Sequence, residues 1–537
     1  MTRSAAFRFL ARCAATAAWC DRTGQSEVEA VEQRRAQARS EQAQREQRRR
    51  LLQGAAGGAA LVALGATAPK LHAQAAADVA VVGAGFAGLQ AASALAGKRI
   101  DAQVYEAGSR VGGRVWSLRG AFPGQVVERG AELIDTTHST VRGLANAFGL
   151  TLESHEKQPG EEFFHFMGRH WSEAEVVAEY RAFSAAMNND LRSLSGGPTA
   201  DSFNAYDAQL DRLPLSDYLS SRGAGTLLRG VMDTAYTIEF GRQIDRQSSL
   251  ALLFFAQANK RGHFTPFGNF SDERFHIVEG NDAIATGLER GLPRPVHFGH
   301  QLLRVARLAD GRLKLALAKD NKTVEVVHAA VILALPAPMM RSIAFDASVG
   351  LPSHSRSAID GLDYGTNSKM MIGFTGRPWQ DLGSNGGSYS DLRNHQNTWE
   401  TSPETALAGV RGVITDYSGG ERGARLDPGR LEAEASAFLA DLDVVWPGSI
   451  GQVRRDAQGR AVAHLENWSR NPLFRGAYTN NQPGYFTTLE GQYAKPAGER
   501  LFFAGEHTDS FYSYQGFMEG ALLSGARAAD QVWRTLR

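Results

Sequence analysis

The sequence predicts an α/β protein in which a parallel sheet of the nucleotide-binding kind is interrupted by a second, α+β domain. Three observations predict it. An apolar run, Val79–Val82, opens into Gly83-Ala84-Gly85-Phe86-Ala87-Gly88; an Ala/Leu-rich helical pattern follows to about Ala96, and a strand at Gln103–Tyr105 ends in Glu106. Near the other end, Leu501–Phe503 forms a second buried strand pattern that runs into Gly505-Glu506, and a helix opens near Gly516. Between these two stretches lies more chain than one compact core holds, and 537 residues require two domains.

Taken in order, the first 77 residues read as lying outside that fold. Glu27–Arg50 is almost entirely Glu, Gln, Arg, Ala and Ser with no apolar stripe, the composition of a solvated helix or a disordered segment. Arg48-Arg49-Arg50-Leu51-Leu52 then precedes a Gly/Ala-rich apolar run, Gly54–Ala66. That run is too short to span a bilayer but suits a signal h-region, and Ala73-Gln74-Ala75 offers small residues for cleavage. The arrangement resembles a twin-arginine export signal, which implies a periplasmic or secreted protein with no membrane span after cleavage. A basic helix before an unstructured linker is the alternative. The n-region of nearly fifty residues is long, and reads as a start codon upstream of the real one.

Composition narrows the function. A formal charge of +1 gives no basic excess for nucleic acid. The only two cysteines, Cys13 and Cys20, precede the signal-like segment, so a processed chain has no disulfide and no cysteine-based metal site. The histidines lack ligand spacing, and no metal is expected.

The glycine fingerprint has a mechanical reading. Gly83 permits the tight turn, Gly85 lets backbone approach a pyrophosphate, and Gly88 lets the helix pack on the sheet. The helix that starts at Phe86-Ala87 offers its free N–H groups and partial positive charge to phosphates. Glu106, followed by Ala107, lies eighteen residues past Gly88, where a carboxylate holds a ribose hydroxyl and disfavours a 2′-phosphate.

The continuation Arg110-Val111-Gly112-Gly113-Arg114 resembles the flavin-containing amine oxidases, a family that includes monoamine, polyamine and L-amino-acid oxidases. The resemblance extends from about Asp78 to Arg537 and implies a Rossmann-like FAD-binding domain of the two-dinucleotide-fold flavoprotein type with an inserted α+β substrate domain. FAD-binding segments are then expected at 78–150, 271–338 and 469–537, and substrate-domain segments at 151–270 and 339–468, after an extension at 1–77.

The remaining residues are assigned through that resemblance. Arg114 belongs to the flavin motif, and Gly130-Ala131, in Val126–Asp135, lies beside the flavin. Leu133 stands where snake-venom L-amino-acid oxidases carry an arginine that grips the substrate carboxylate, a departure that weakens the amino-acid reading. A helix is expected at Ser139–Phe148. Phe163–Phe166 reads either as core strand or as pocket lining. Arg274–Asp282 returns the chain to the FAD domain. Val296–Leu335 alternates as a three-stranded meander with turns at Asp310-Gly311 and Asp320-Asn321, and Leu302 supplies backbone to the adenine. Lys369 matches the lysine that holds a water near flavin N5, with Trp379 ten residues on at an often aromatic position. Tyr478 and Phe517 are the opposing aromatic faces of the substrate site. Ala477 replaces the cysteine of covalently flavinylated members, so FAD is expected to be noncovalent. Gly505 and Glu506 bind the ribityl–pyrophosphate region, and the helix start at Gly516-Phe517 faces the flavin N1–C2=O edge.

The implied reaction is hydride transfer from an amine α-carbon to flavin N5, hydrolysis of the imine and formation of hydrogen peroxide. A mono-, di- or polyamine is the favoured substrate and dioxygen the acceptor. The alternatives are an L-amino-acid oxidase, including one for basic side chains with Glu132 or Asp135 near the distal end; a dehydrogenase feeding a periplasmic cytochrome; and a flavin-binding protein without turnover. A homodimer is compatible with the sequence.

Overall fold

The computed structural model describes residues 5–37, 78–154, 160–257, 273–401 and 411–537. Its FAD-side sheet has four strands in the order Leu501–Phe503, Ala330–Leu333, Val79–Val82, Ala102–Tyr105. All the pairings are parallel, with Val79 opposite both Ala330 and Ala102. The two central strands are buried throughout, which is why they read as unbroken apolar runs rather than alternating ones. Helix Phe86–Gly97 follows the fingerprint, and the C-terminal helix Met518–Leu536 crosses it. The two backbones nearly touch: a Cβ on Gly525 would lie 2.2 Å from the Ala87 carbonyl oxygen.

The predicted meander is present as Gln301–Arg307, Leu313–Lys319 and Lys322–His328, all antiparallel. Its second turn places Asp320 and Asn321 at φ 48° and 60°, the paired left-handed residues of a tight hairpin. The substrate side is a seven-stranded sheet in the order Ala463–Asn467, Ser368–Gly373, Val413–Ser418, Asn397–Glu400, Ser384–Ser390, Glu161–Phe166, Arg169–Trp171. Helices Glu173–Ser193 and Thr226–Phe240 pack beside it.

One open alternative is resolved and one expectation needs correction. The cluster Phe163–Phe166 is a strand of this sheet and not pocket lining: Phe164 and Phe166 are buried, and Phe164 stacks on Tyr389 at 5.5 Å. The N-terminal segment does not lie wholly outside the fold. Helix Ala5–Thr23 packs on Glu173–Ser193, burying Cys13, Ala14 and Ala17 in a core shared with Val176, Val177 and Tyr180. A helix over 27–37 is fastened by charge: Arg34 meets Glu173 at 2.7 Å, Arg35 meets Glu161 at 2.8 Å, and Glu27 accepts Arg181 at 2.9 Å. Ion pairs leave no apolar periodicity, so this docking was invisible as a stripe. The signal-like features at 48–75 lie outside the described residues.

Candidate active site

Parallel strands all end on one side, and there the chain leaves an open cavity, about 1120 Å³ of space with the solvent at its mouth included. Its walls include Gly83, Gly85, Phe86, Ala87, Glu106, Ala107, Arg114, Ala131, Leu302, Gly505, Glu506 and Phe517. These come from both ends and the middle of the chain, as expected. Gly112 and Gly113 of the motif before Arg114 line it too, and so do residues that no motif marked, among them His300, Met339, Leu473 and Phe474.

Glycine makes the cradle possible. Gly83 has φ 103°, and a Cβ there would meet the Ala334 carbonyl oxygen at 2.5 Å. A Cβ on Gly88 would lie 1.9 Å from the Gly83 carbonyl oxygen, so Gly88 shapes the turn from behind and does not line the cavity. Glu106 is held at the cavity edge by N–H donors from Ala84 and Gly108, each at 2.7 Å. The C-terminal helix begins at Met518 with Phe517 as its N-cap and no side-chain cap, and Met518 and Ala521 line the cavity. Its N-terminal dipole therefore acts on whatever the cavity holds.

Arg114 and Glu506 bridge the floor. Arg114 donates to Glu506 Oε1 at 2.9 Å and to the Ala477 carbonyl at 2.7 Å, and Thr479 donates to Glu506 Oε2 at 2.9 Å. Burial works to lower the arginine pKa and raise the carboxyl pKa, yet their mutual attraction reverses both directions and keeps the pair ionised. The neighbouring His507 is pushed down to about 4 by burial and is neutral.

Behind Ala131 the substrate domain contributes a polar and aromatic wall. Lys369 sits within strand Ser368–Gly373 and is only 3% exposed. Its ammonium donates to Glu132 Oε2 at 2.5 Å, to the Gly130 carbonyl at 2.8 Å and to the Glu128 carbonyl at 3.3 Å. Glu132 accepts a second bond from Trp399 Nε1 at 3.0 Å, and the Lys369 Nζ lies 5.3 Å from the Trp399 ring. Strand register places Tyr417 opposite Lys369. Tyr417 meets Trp399 edge-on at 5.3 Å and its hydroxyl lies 2.9 Å from that of Tyr478.

Tyr478 also bonds the Glu239 carbonyl and lies against Gly516, one residue before Phe517, with a small recess of about 260 Å³ between them. Phe517 itself packs edge-on against His138 at 5.0 Å. The two predicted aromatic residues do not line one pocket: Tyr478 and Gly516 line the recess, whereas Phe517 lines the FAD cavity. Trp399, Tyr417 and Glu132 connect to Tyr478 through hydrogen bonds and ring contact, a link that only sheet register could have revealed. Trp379 goes elsewhere, into the core against Trp446, with its indole N–H on Glu400. Leu133 is buried.

Tyr417 is pushed up first by burial and then by Glu239, Glu273 and Glu132. Glu128, whose carboxylate takes the Ser117 hydroxyl and the Asn281 N–H, is raised by burial to about 8. Among the described residues no group of His, Cys, Asp and Glu has the arrangement of a metal site, and no helix is long and apolar enough to cross a membrane.

A parallel nucleotide-type sheet, a glycine cradle with an acidic ribose position and a second domain closing over one edge define an FAD-dependent oxidoreductase. Residues 86–533 match the family described as flavin containing amine oxidoreductase, and the chain belongs to it. The L-amino-acid oxidases of Bungarus fasciatus and Notechis scutatus scutatus are each 25% identical, over 85% of this chain and 86% of theirs. Putrescine oxidase bound to putrescine has the same fold, with TM-score 0.70 at 18% identity over 85% of this chain and 98% of that one. Cyclohexylamine oxidase from Brevibacterium oxydans IH-35A matches with TM-score 0.70 at 18% identity over 86% and 99%.

Proposed function

We propose that the enzyme oxidises the C–N bond of a small mono-, di- or polyamine, with dioxygen as electron acceptor. One observation carries the reading: the buried Lys369–Glu132 pair, joined to Trp399, Tyr417 and Tyr478, lies next in the chain to Ala131 in the wall of the FAD cavity. When bound, FAD supplies the hydride acceptor and delivers the electrons to oxygen, giving hydrogen peroxide. The chain supplies orientation and electrostatics. Tyr478, on the recess, and Phe517, on the FAD cavity, would guide a neutral amine and exclude water from it. Gly83, Gly85, Phe86 and Ala87 present the fingerprint turn to the pyrophosphate, Glu106 holds the adenosine ribose, and Leu302 meets the adenine. The start of the C-terminal helix favours negative charge in the cavity, worth about 1 kcal/mol and more when dry.

The amine is preferred over an amino acid because Leu133, an apolar buried side chain, occupies the position of the carboxylate-gripping arginine. The relatives at 25% identity keep the L-amino-acid reading open as the second one. A panel of mono-, di- and polyamines against L-amino acids decides between them, scored by anaerobic bleaching of the flavin and by aerobic peroxide. Bleaching by amines alone is expected; bleaching by L-amino acids alone overturns the preference, and no bleaching by any of them overturns turnover itself.

Two further parts of the proposal concern loading and location. FAD is held noncovalently, since Ala477 stands at the attachment position and both cysteines are buried, Cys13 in the core shared with the substrate domain. Acid denaturation should therefore release all the flavin as FAD. Export by the twin-arginine route is proposed from Arg48-Arg49-Arg50, and replacing all three with Lys should trap the protein in the cytoplasm; unchanged export removes that reading.

A further inference from the structure

An ammonium has three N–H donors, and Lys369 commits all of them to the protein: two to the carbonyls of Glu128 and Gly130, one to Glu132. Glu132 is itself fully buried, and its second oxygen is held by the Trp399 indole. The next residue after Gly130 is Ala131, which lines the FAD cavity. An ion pair without solvent screening therefore stands directly behind the cavity wall, its two charges cancelling.

We propose that Glu132 is a positioning residue of the flavin site: it fixes the Lys369 ammonium and, by neutralising it, sets the reduction potential of the bound FAD. The inference rests on the reading that Lys369 faces the reactive part of the flavin. Reduction adds negative charge to the flavin, so each neighbouring charge changes the equilibrium in a direction fixed by its sign, and burial makes the effect large. Removing the Glu132 charge leaves an uncompensated ammonium and favours reduced flavin. Removing the Lys369 charge leaves a carboxylate and opposes it. Removing both restores the balance. A residue with a merely structural role does not produce shifts of opposite sign that cancel.

The test is a redox titration of the FAD-loaded full-length enzyme as wild type, Glu132→Gln, Lys369→Met and the double variant. Glu132→Gln should raise the two-electron potential by about 30 mV, a tenfold change in the reduction equilibrium. Lys369→Met should lower it by a similar amount, and the double variant should return close to wild type. If Lys369→Met shifts the potential and Glu132→Gln does not, the role of Glu132 is overturned while Lys369 keeps its place. If neither substitution shifts it, the placement of Lys369 beside the flavin fails as well. Should Glu132→Gln not retain FAD, adding it to Lys369→Met gives the same comparison in a site without a lone ammonium; a potential unchanged by that addition overturns the proposal.

Discussion

The two walls of this active site are made in different ways. The FAD cradle is built from backbone: Gly83, Gly85 and Gly505 shape turns at the ends of parallel strands, and helix starts supply N–H groups. The substrate wall is built from side chains: Glu132, Lys369, Trp399, Tyr417 and Tyr478 come from separate segments and meet only through strand register and long-range packing. The first kind of site tolerates almost no added atom. The second depends on charge and hydrogen-bond balance, and its single substitutions should act on rates and potentials before they act on the fold.

The largest effect is expected in the cradle. Gly88→Ala places a Cβ 1.9 Å from the Gly83 carbonyl oxygen, which backbone must move to relieve. The purified protein should contain essentially no flavin, measured as FAD per polypeptide. A normal flavin content would mean that the fingerprint turn does not carry the cofactor and would erase the contrast between the walls. Glu106→Ala is milder because it deletes one charge-assisted partner and no backbone, worth about 1.5–3 kcal/mol. FAD affinity should fall about ten- to a hundredfold, while enzyme saturated with FAD turns over normally. Unchanged affinity in a titration of apoprotein would show that the carboxylate serves only its bonds to Ala84 and Gly108.

The smallest effect sharpens the electrostatic half of the comparison. Glu128 is raised by burial from 4.5 to about 8, so the folded state holds its proton more tightly than the unfolded chain does. The stabilisation this gives is complete below about pH 4.5 and is lost as the pH rises through 8. The wild-type Tm should accordingly fall faster than that of Glu128→Gln between pH 6 and pH 9, by a few degrees on the scale of ~1 kcal/mol. Parallel Tm curves for the two proteins would place an ionised carboxylate at 128.

The same division explains what was legible in the sequence. Val79–Val82, the fingerprint helix, the three-stranded meander and the strand before Gly505 are local patterns, and the structure has each within a residue or two. Twelve of the cofactor residues named from motifs line one cavity, because a turn made of backbone leaves its mark in glycine spacing. Trp399 and Tyr417 left no such mark: each looks like an ordinary aromatic residue in a buried strand, and only the register that sets Tyr417 opposite Lys369 gives them a role. Glu132 was visible as a carboxylate, but its partner is 237 positions away. The docking of residues 27–37 was missed for a related reason, since scattered arginines reveal their partners only after the chain has folded.

The ion pair also changes what a lysine substitution does. Lys369→Met alone leaves Glu132 charged, buried and without its cation, a loss of about 3–5 kcal/mol when a buried pair is broken. Replacing both partners with neutral side chains avoids most of that penalty. The most direct test of the account is therefore stopped-flow measurement of the Lys369→Met/Glu132→Gln enzyme, with the anaerobic amine half-reaction and the oxygen half-reaction followed separately. The account predicts wild-type FAD content and a Tm close to wild type, with at least one half-reaction slowed by ~10-fold or more, about 1.4 kcal/mol of barrier. Both rates within twofold of wild type would contradict it, and would move the chemistry away from Lys369 to Tyr478 and Phe517.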